Sequence, residues 1–265
     1  MGPGGTGGPA ATDTVPATNA EAGVITGRVT TEPGDPIGGA ELRIVGYTGG
    51  DTLGRDIETV TSGNDGVYRY EAGNGLYEVL GVAPIEFDGK TYLFDLEPVD
   101  GGCEQEFSEA GIVEDMVVRL TGMSPCNQAG DPTNYLEYHG ANVQLSDQLA
   151  GSYASDAVVE FVLEPATPLA DGSPSETLTL RRTIDALQTS FGPLESTWVL
   201  HDIPLARYDV TASIVDGGTR VPLQVSLDNG SPADSVELAF EPRVIVGTPS
   251  VGYVIPSLYI YDMGG

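Results

Sequence analysis

Lysine is almost missing from this chain. Lys90 is the only one, and with the arginines it makes 11 cations against 39 Asp and Glu, a net charge of −28. A protein that binds nucleic acid directly needs a basic patch to neutralise phosphates, and none is present, so that class is excluded. Such a surface repels itself in dilute buffer, and at molar salt the screening length falls to ~3 Å. Acid excess with so little lysine points to a halophilic organism or its virus. The alternative is an acidic extracellular β-protein from a GC-rich mesophile. Histidine is scarce too, with only His139 and His201. No HExxH pair and no G-x-S-x-G elbow accompany them, so zinc-protease and serine-hydrolase readings find no support. Catalytic, cofactor and metal residues are therefore expected to be none. No run of 18 apolar residues exists, so no membrane-spanning helix is expected. The first twenty residues lack a basic n-region and an apolar h-region and do not read as a signal peptide.

Cysteine is limited to Cys103 and Cys126. With no CxxC and no Cys/His cluster, zinc is disfavoured. One disulfide is the expected use, closing a loop of roughly two dozen residues and contributing ~3 kcal/mol in the loop-closure picture. It would staple a connector to the first domain and imply oxidising surroundings. Two unpaired thiols are the alternative.

Glycine and proline are abundant instead, 36 and 19 residues, in a chain that is 40% apolar. Short apolar runs between Gly/Pro turns favour an all-β protein. Residues 1–22 are a Gly/Pro-rich arm. Val24, Ile25 and Val29 open a first domain, with Gly27 at a bulge or close approach. Ala40, Leu42 and Ile44 alternate with Glu41, Arg43 and Val45, the two-residue period of a half-buried strand. The stretch NDGVYRYEAGNGLYEVLGV (64–82) predicts a turn at Asn64–Asp65–Gly66, a strand from Val67, a type I′ hairpin turn at Asn74–Gly75 and a return strand from Leu76.

These features together resemble the carboxypeptidase regulatory-like family. Asp65, Gly66, Tyr68 and Tyr70 match its D-G-x-Y-x-F motif. Gly75, Tyr77 and Val79 match P-G-x-Y-x-V, with Asn74 in place of the usual Pro. The match covers about residues 23–83. The resemblance implies a transthyretin-like β-sandwich of about seven strands that serves packing and interaction rather than peptide hydrolysis. A weaker second copy is expected around Leu200, Ile203, Pro204, Tyr208 and Val210, where Ala206 replaces the family's Gly.

The expected architecture is thus all-β. Two tandem Ig-like or transthyretin-like β-sandwich domains (23–121 and 134–242) flank a connector (122–133), with the N-terminal arm and a C-terminal strand tail (243–265). The tail is too apolar for a solvated end: Val244, Ile245, Val246, Val251, Tyr253, Ile255, Leu258, Tyr259, Ile260 and Tyr261. Either it adds a strand to its own domain or it docks on a neighbour by β-augmentation, and the second is the expectation. The functional expectation is a non-enzymatic structural protein of a halophilic archaeal virus particle. Its partners would be copies of itself and other structural proteins, or a host surface glycan or protein. A secreted cell-surface filament or adhesin subunit and a carbohydrate-binding accessory module are the rivals.

Overall fold

The computed structural model describes residues 19–47, 54–102, 104–124, 138–149, 153–154, 156–184, 199–245 and 248–263. Cys103, Cys126 and Val246, together with residues 1–18 of the arm, lie outside the described residues. The structure is all-β, as the turn-rich composition requires. Its first unit comprises β1 (Val24–Thr31), β2 (Glu41–Tyr47), β3 (Arg55–Thr61), β4 (Val67–Glu71), β5 (Leu76–Phe87), β6 (Lys90–Pro98), β7 (Glu106–Phe107), β8 (Ile112–Val113) and β9 (Met116–Val118). The second comprises β10 (Ala141–Gln148), β11 (Val158–Pro165), β12 (Leu178–Thr183), β13 (Val199–Ile203), β14 (Tyr208–Asp216), β15 (Thr219–Ser226), β16 (Val236–Leu238) and β19 (Ser257–Asp262). A hairpin of β17 (Glu241–Ile245) and β18 (Thr248–Val254) comes between β16 and β19.

The two units share one topology. The first sheet runs β3-β2-β5-β6-β9-β1-β4, and the second runs β12-β11-β14-β15-β19-β10-β13. Reading β10 for β1 and β14 for β5, with the other strands in step, converts one order into the other. The small strands agree as well, since β7 pairs β5 and β16 pairs β14. Strand directions agree, for β9 lies parallel to β1 and antiparallel to β6, as β19 does to β10 and β15. The tyrosine of each repeat also does the same work. Tyr77 O–H donates to Ala72 O at 2.5 Å, and Tyr208 O–H donates to Pro204 O at 2.9 Å. Each clamps the turn into its strand as a tyrosine corner does.

Two expectations are corrected. Strands β4 and β5 are not a hairpin: β4 pairs β1, and β5 pairs β2 and β6. The positive-φ residue in that connection is Gly73, whereas a type I′ turn needs φ > 0 at both Asn74 and Gly75. The chain crosses between distant strands of the sheet there, and the Tyr77 corner secures the crossing. The Asn64–Gly66 turn does form, with Gly66 at φ +77° and Asp65 Oδ1 accepting from Val67 N–H at 3.2 Å.

The second correction concerns the tail. β19 is the strand that joins β15 to β10 in its own module, and Leu258 and Ile260 are fully buried in that core. The second module therefore extends beyond residue 242, and its closing strand is β19. The hydrophobic content of the tail is what a strand flanked on both sides requires.

Gly27 is the close approach its position in β1 suggested. A Cβ there would stand 1.8 Å from Glu114 O, where Tyr68 O–H also donates at 2.6 Å. The same contact brings β1, β4 and the β8–β9 connection together around Ile25, Tyr68, Ile112 and Met116, all buried.

Candidate interaction site at the module joint

The inserted hairpin leaves the second module and seats on the first. Val251 of β18 pairs in parallel with Leu93 of β6. Tyr253 packs against Tyr92, Phe94 and Phe240, with ring centroids 6.1, 5.7 and 5.8 Å away. Contacts of this kind add ~0.5–1.5 kcal/mol per pair beyond area burial. Tyr92 O–H donates to Phe240 O at 2.8 Å in a buried position. Lys90, the single lysine, donates to Glu241 at 2.7 Å on the rim.

A second set of contacts closes the other side of the joint. Gly122 N–H donates to Asp202 Oδ1 at 2.8 Å, and His139 N–H donates to Gly122 O at 2.9 Å. His139 Nε2 lies 3.0 Å from Glu97 Oε2, and Arg119 Nε lies 3.5 Å from the same oxygen. The geometry is electrostatic rather than hydrogen-bonded: Glu97 is only 3% exposed, and neither of its carboxylate oxygens has a hydrogen-bond partner among the described residues. Tyr138 stacks on His201 with centroids 4.6 Å apart and planes 8° from parallel. Burial, then the Arg182 charge, holds His201 below its ordinary value. Both histidines of the chain are thus joint residues.

Beside this joint the outer face of β2, β5 and β6 forms a groove of about 590 Å³. Its carboxylates are Glu41, Glu78, Asp95, Glu97, Glu104 and Glu114, opposed by Arg43 and His139. Burial, then neighbouring Glu106, Asp100 and Asp115, pushes Glu114 up to about 7. Burial also raises Asp95, with Glu97 adding to the rise and His139 opposing it. No group of three or more His, Cys, Asp or Glu among the described residues is arranged to hold a metal ion. Asp228 spends its carboxylate locally: Ser226 O–H is 2.9 Å away and holds the group below its usual range.

The tail residues named from sequence divide three ways. Leu258 and Ile260 are core, with Tyr259 and Tyr261 half-buried beside them. Val251 and Tyr253 build the joint. Val244, Ile245 and Ile255 remain exposed at 55, 48 and 41%. Sequence reasoning missed the groove and the Glu97–His139 contact, because the residues come from separate strands with ordinary spacing. The one available signal was that both histidines flank the repeated turn or the connector.

No family model matches the chain, and no curated protein matches it. Solved structures do. A Bacillus anthracis TIE protein matches at 9% identity and TM-score 0.34, over 91% of this chain and 34% of that one. A DUF3823 family protein from Bacteroides uniformis matches at 11% and 0.25, over 83% and 99%. A Streptococcal ancillary pilin matches at 10% and 0.27, over 88% and 61%. The chain spans about a third of the length of the TIE protein. No helix among the described residues is long and apolar enough to cross a membrane.

Proposed function

We propose that this chain is a non-enzymatic, self-assembling structural subunit of a cell-surface assembly, a stiff two-module spacer. One observation carries the reading: the second module inserts a hairpin into its own β16–β19 connection and uses it to pair with the first. Two sandwiches tethered only by a linker would move independently. Here strand pairing, an aromatic cluster and buried polar contacts hold them in one relation, which suits a load-bearing or spacing role. The resemblance of residues 23–83 to carboxypeptidase regulatory-like modules supports the same reading. So does the environment of the histidines: the imidazole of His139 faces Glu97 and that of His201 stacks on Tyr138, which is a packing role for both.

Immunogold labelling of intact source cells and of particles released from them tests this. Regular labelling of surface filaments or layers is expected. Label confined to the released particles would move the subunit to a virion. Antigen restricted to the soluble interior of the cell would overturn the proposal.

A further inference from the structure

Glu41 and Glu160 occupy equivalent places in the two modules. Glu41 faces Val82 across β2 and β5, and Glu160 faces Ser213 across β11 and β14. Val82 and Ser213 stand at matching positions after the corner tyrosines Tyr77 and Tyr208. The surroundings of the two carboxylates have opposite sign. Arg181 reaches Glu160 Oε2 from Nε and Nη2 at 2.9 and 2.7 Å, and Arg220 Nη1 donates to Oε1 at 2.5 Å. The two guanidinium groups stay outward, their side chains 66 and 54% exposed. Around Glu41 the ladder neighbours are Thr61 and Val82, and beyond Val82 comes Asp95. Glu41 makes no ion pair among the described residues. Arg43, the nearby cation, lies 3.3 Å from Asp56. Glu97 Oε1 is buried in the groove wall with no hydrogen-bond partner among the described residues. Glu41 thus lacks the two arginines that pair its counterpart Glu160, and in this groove Arg119 reaches only Glu97.

We propose that the Arg181–Arg220 face of one copy docks into the acidic groove of the next, head to tail. The inference rests on the self-assembling reading above. Each copy then carries one cationic and one anionic face on equivalent sheets of successive modules, a heterologous pairing that extends as an open chain. A second copy is the occupant because the charges are complementary. Among the described residues this is the place where two arginines converge on one carboxylate, and both retain uncommitted N–H donors. Molar salt removes the long-range repulsion between chains of charge −28 while contact pairs persist within the ~3 Å screening length.

Two variants test the pairing by sedimentation velocity in molar salt. E41K/E104K changes exposed groove residues and leaves the arginine face intact. R181Q/R220Q/E160Q removes the arginine face while leaving no buried carboxylate unpaired. Each alone is expected to lose self-association by about tenfold or more, as for truncation of close charge pairs across an interface. A 1:1 mixture is expected to form heterodimers that stop at two, because each partner retains one working face. Circular dichroism of each variant confirms folding. Wild-type chains that associate, with E41K/E104K associating equally well, would overturn this pairing and leave the structural-subunit reading standing. Wild-type chains that stay monomeric at every concentration would overturn both.

Discussion

In the first module the strand that completes the sheet, β9, follows short β7 and β8. In the second, the equivalent β19 is reached only after the β17–β18 hairpin has left the sheet and paired with β6 of the other module. The difference places the joint inside a loop of one repeat rather than in the linker between them. Closing the second module and locking the pair are consecutive tasks for one segment, residues 241–262. The first module has no such dependence, since its strands come from residues 24–118.

The largest expected effect breaks that asymmetry directly. A chain ending at Ile255 loses β19, and with it both neighbours' hydrogen-bond ladders and the fully buried Leu258 and Ile260. Each of those side chains alone is worth ~2–5 kcal/mol when cut to Ala. A whole domain is stable by only ~5–15 kcal/mol, so the second module should unfold while the first keeps its structure. Limited proteolysis should then yield a fragment ending near residue 120. A truncated chain that melts like the full one would show that β19 is dispensable, and the equivalence with β9 would fall with it.

The same comparison explains what the sequence disclosed. The Tyr77/Tyr208 repeat was visible because a corner needs the same residues in the same order: a tyrosine followed by alternating β-formers. The strands that carry the two tyrosines, β5 and β14, hold the same place in the two sheet orders. Pairing was not visible. Asn74–Gly75 has hairpin chemistry, yet tertiary topology separates the flanking strands, and Gly73 takes the left-handed conformation instead. The tail was misplaced for a related reason. Its apolar pattern shows that it is covered, but a strand's pattern does not say whether the cover is its own sheet or a neighbour's. The groove was least legible, since six carboxylates from separate strands cannot be distinguished from the other acids of a chain with 39.

A smaller effect sharpens the equivalence of the corners. Tyr208 is fully buried, so Tyr208→Phe leaves Pro204 O without its partner in a dry site, at ~1–3 kcal/mol. Tyr77 is half-buried, and water can replace its hydroxyl at Ala72 O. Tyr77→Phe should cost only ~0.5–1.5 kcal/mol. Denaturant unfolding of the two variants should rank them in that order. Equal costs would mean that the corners differ in something other than burial.

The smallest effect separates the modules by the sign of their pH response. Glu114 belongs to the first module and is pushed up to about 7 from an ordinary value of 4.5. The folded state therefore holds this proton more tightly than the unfolded one. Its contribution is complete below about 4.5 and is lost as pH rises through about 7. Asp95, also raised, acts in the same direction. His201 belongs to the second module and is held below its ordinary 6.5 by burial and Arg182. Its contribution is present above that value and is lost as pH falls. Relative to the intrinsic rate at each pH, acidification from pH 8 to 5 should thus raise amide protection in β2, β5 and β6 and lower it in β13 and β10. Glu114→Gln should flatten the first response and leave the second. His201→Phe, which retains a ring against Tyr138, should do the reverse. Parallel shifts in both modules would show that the joint transmits protonation across itself, and the two sites would then have to be treated as one coupled unit.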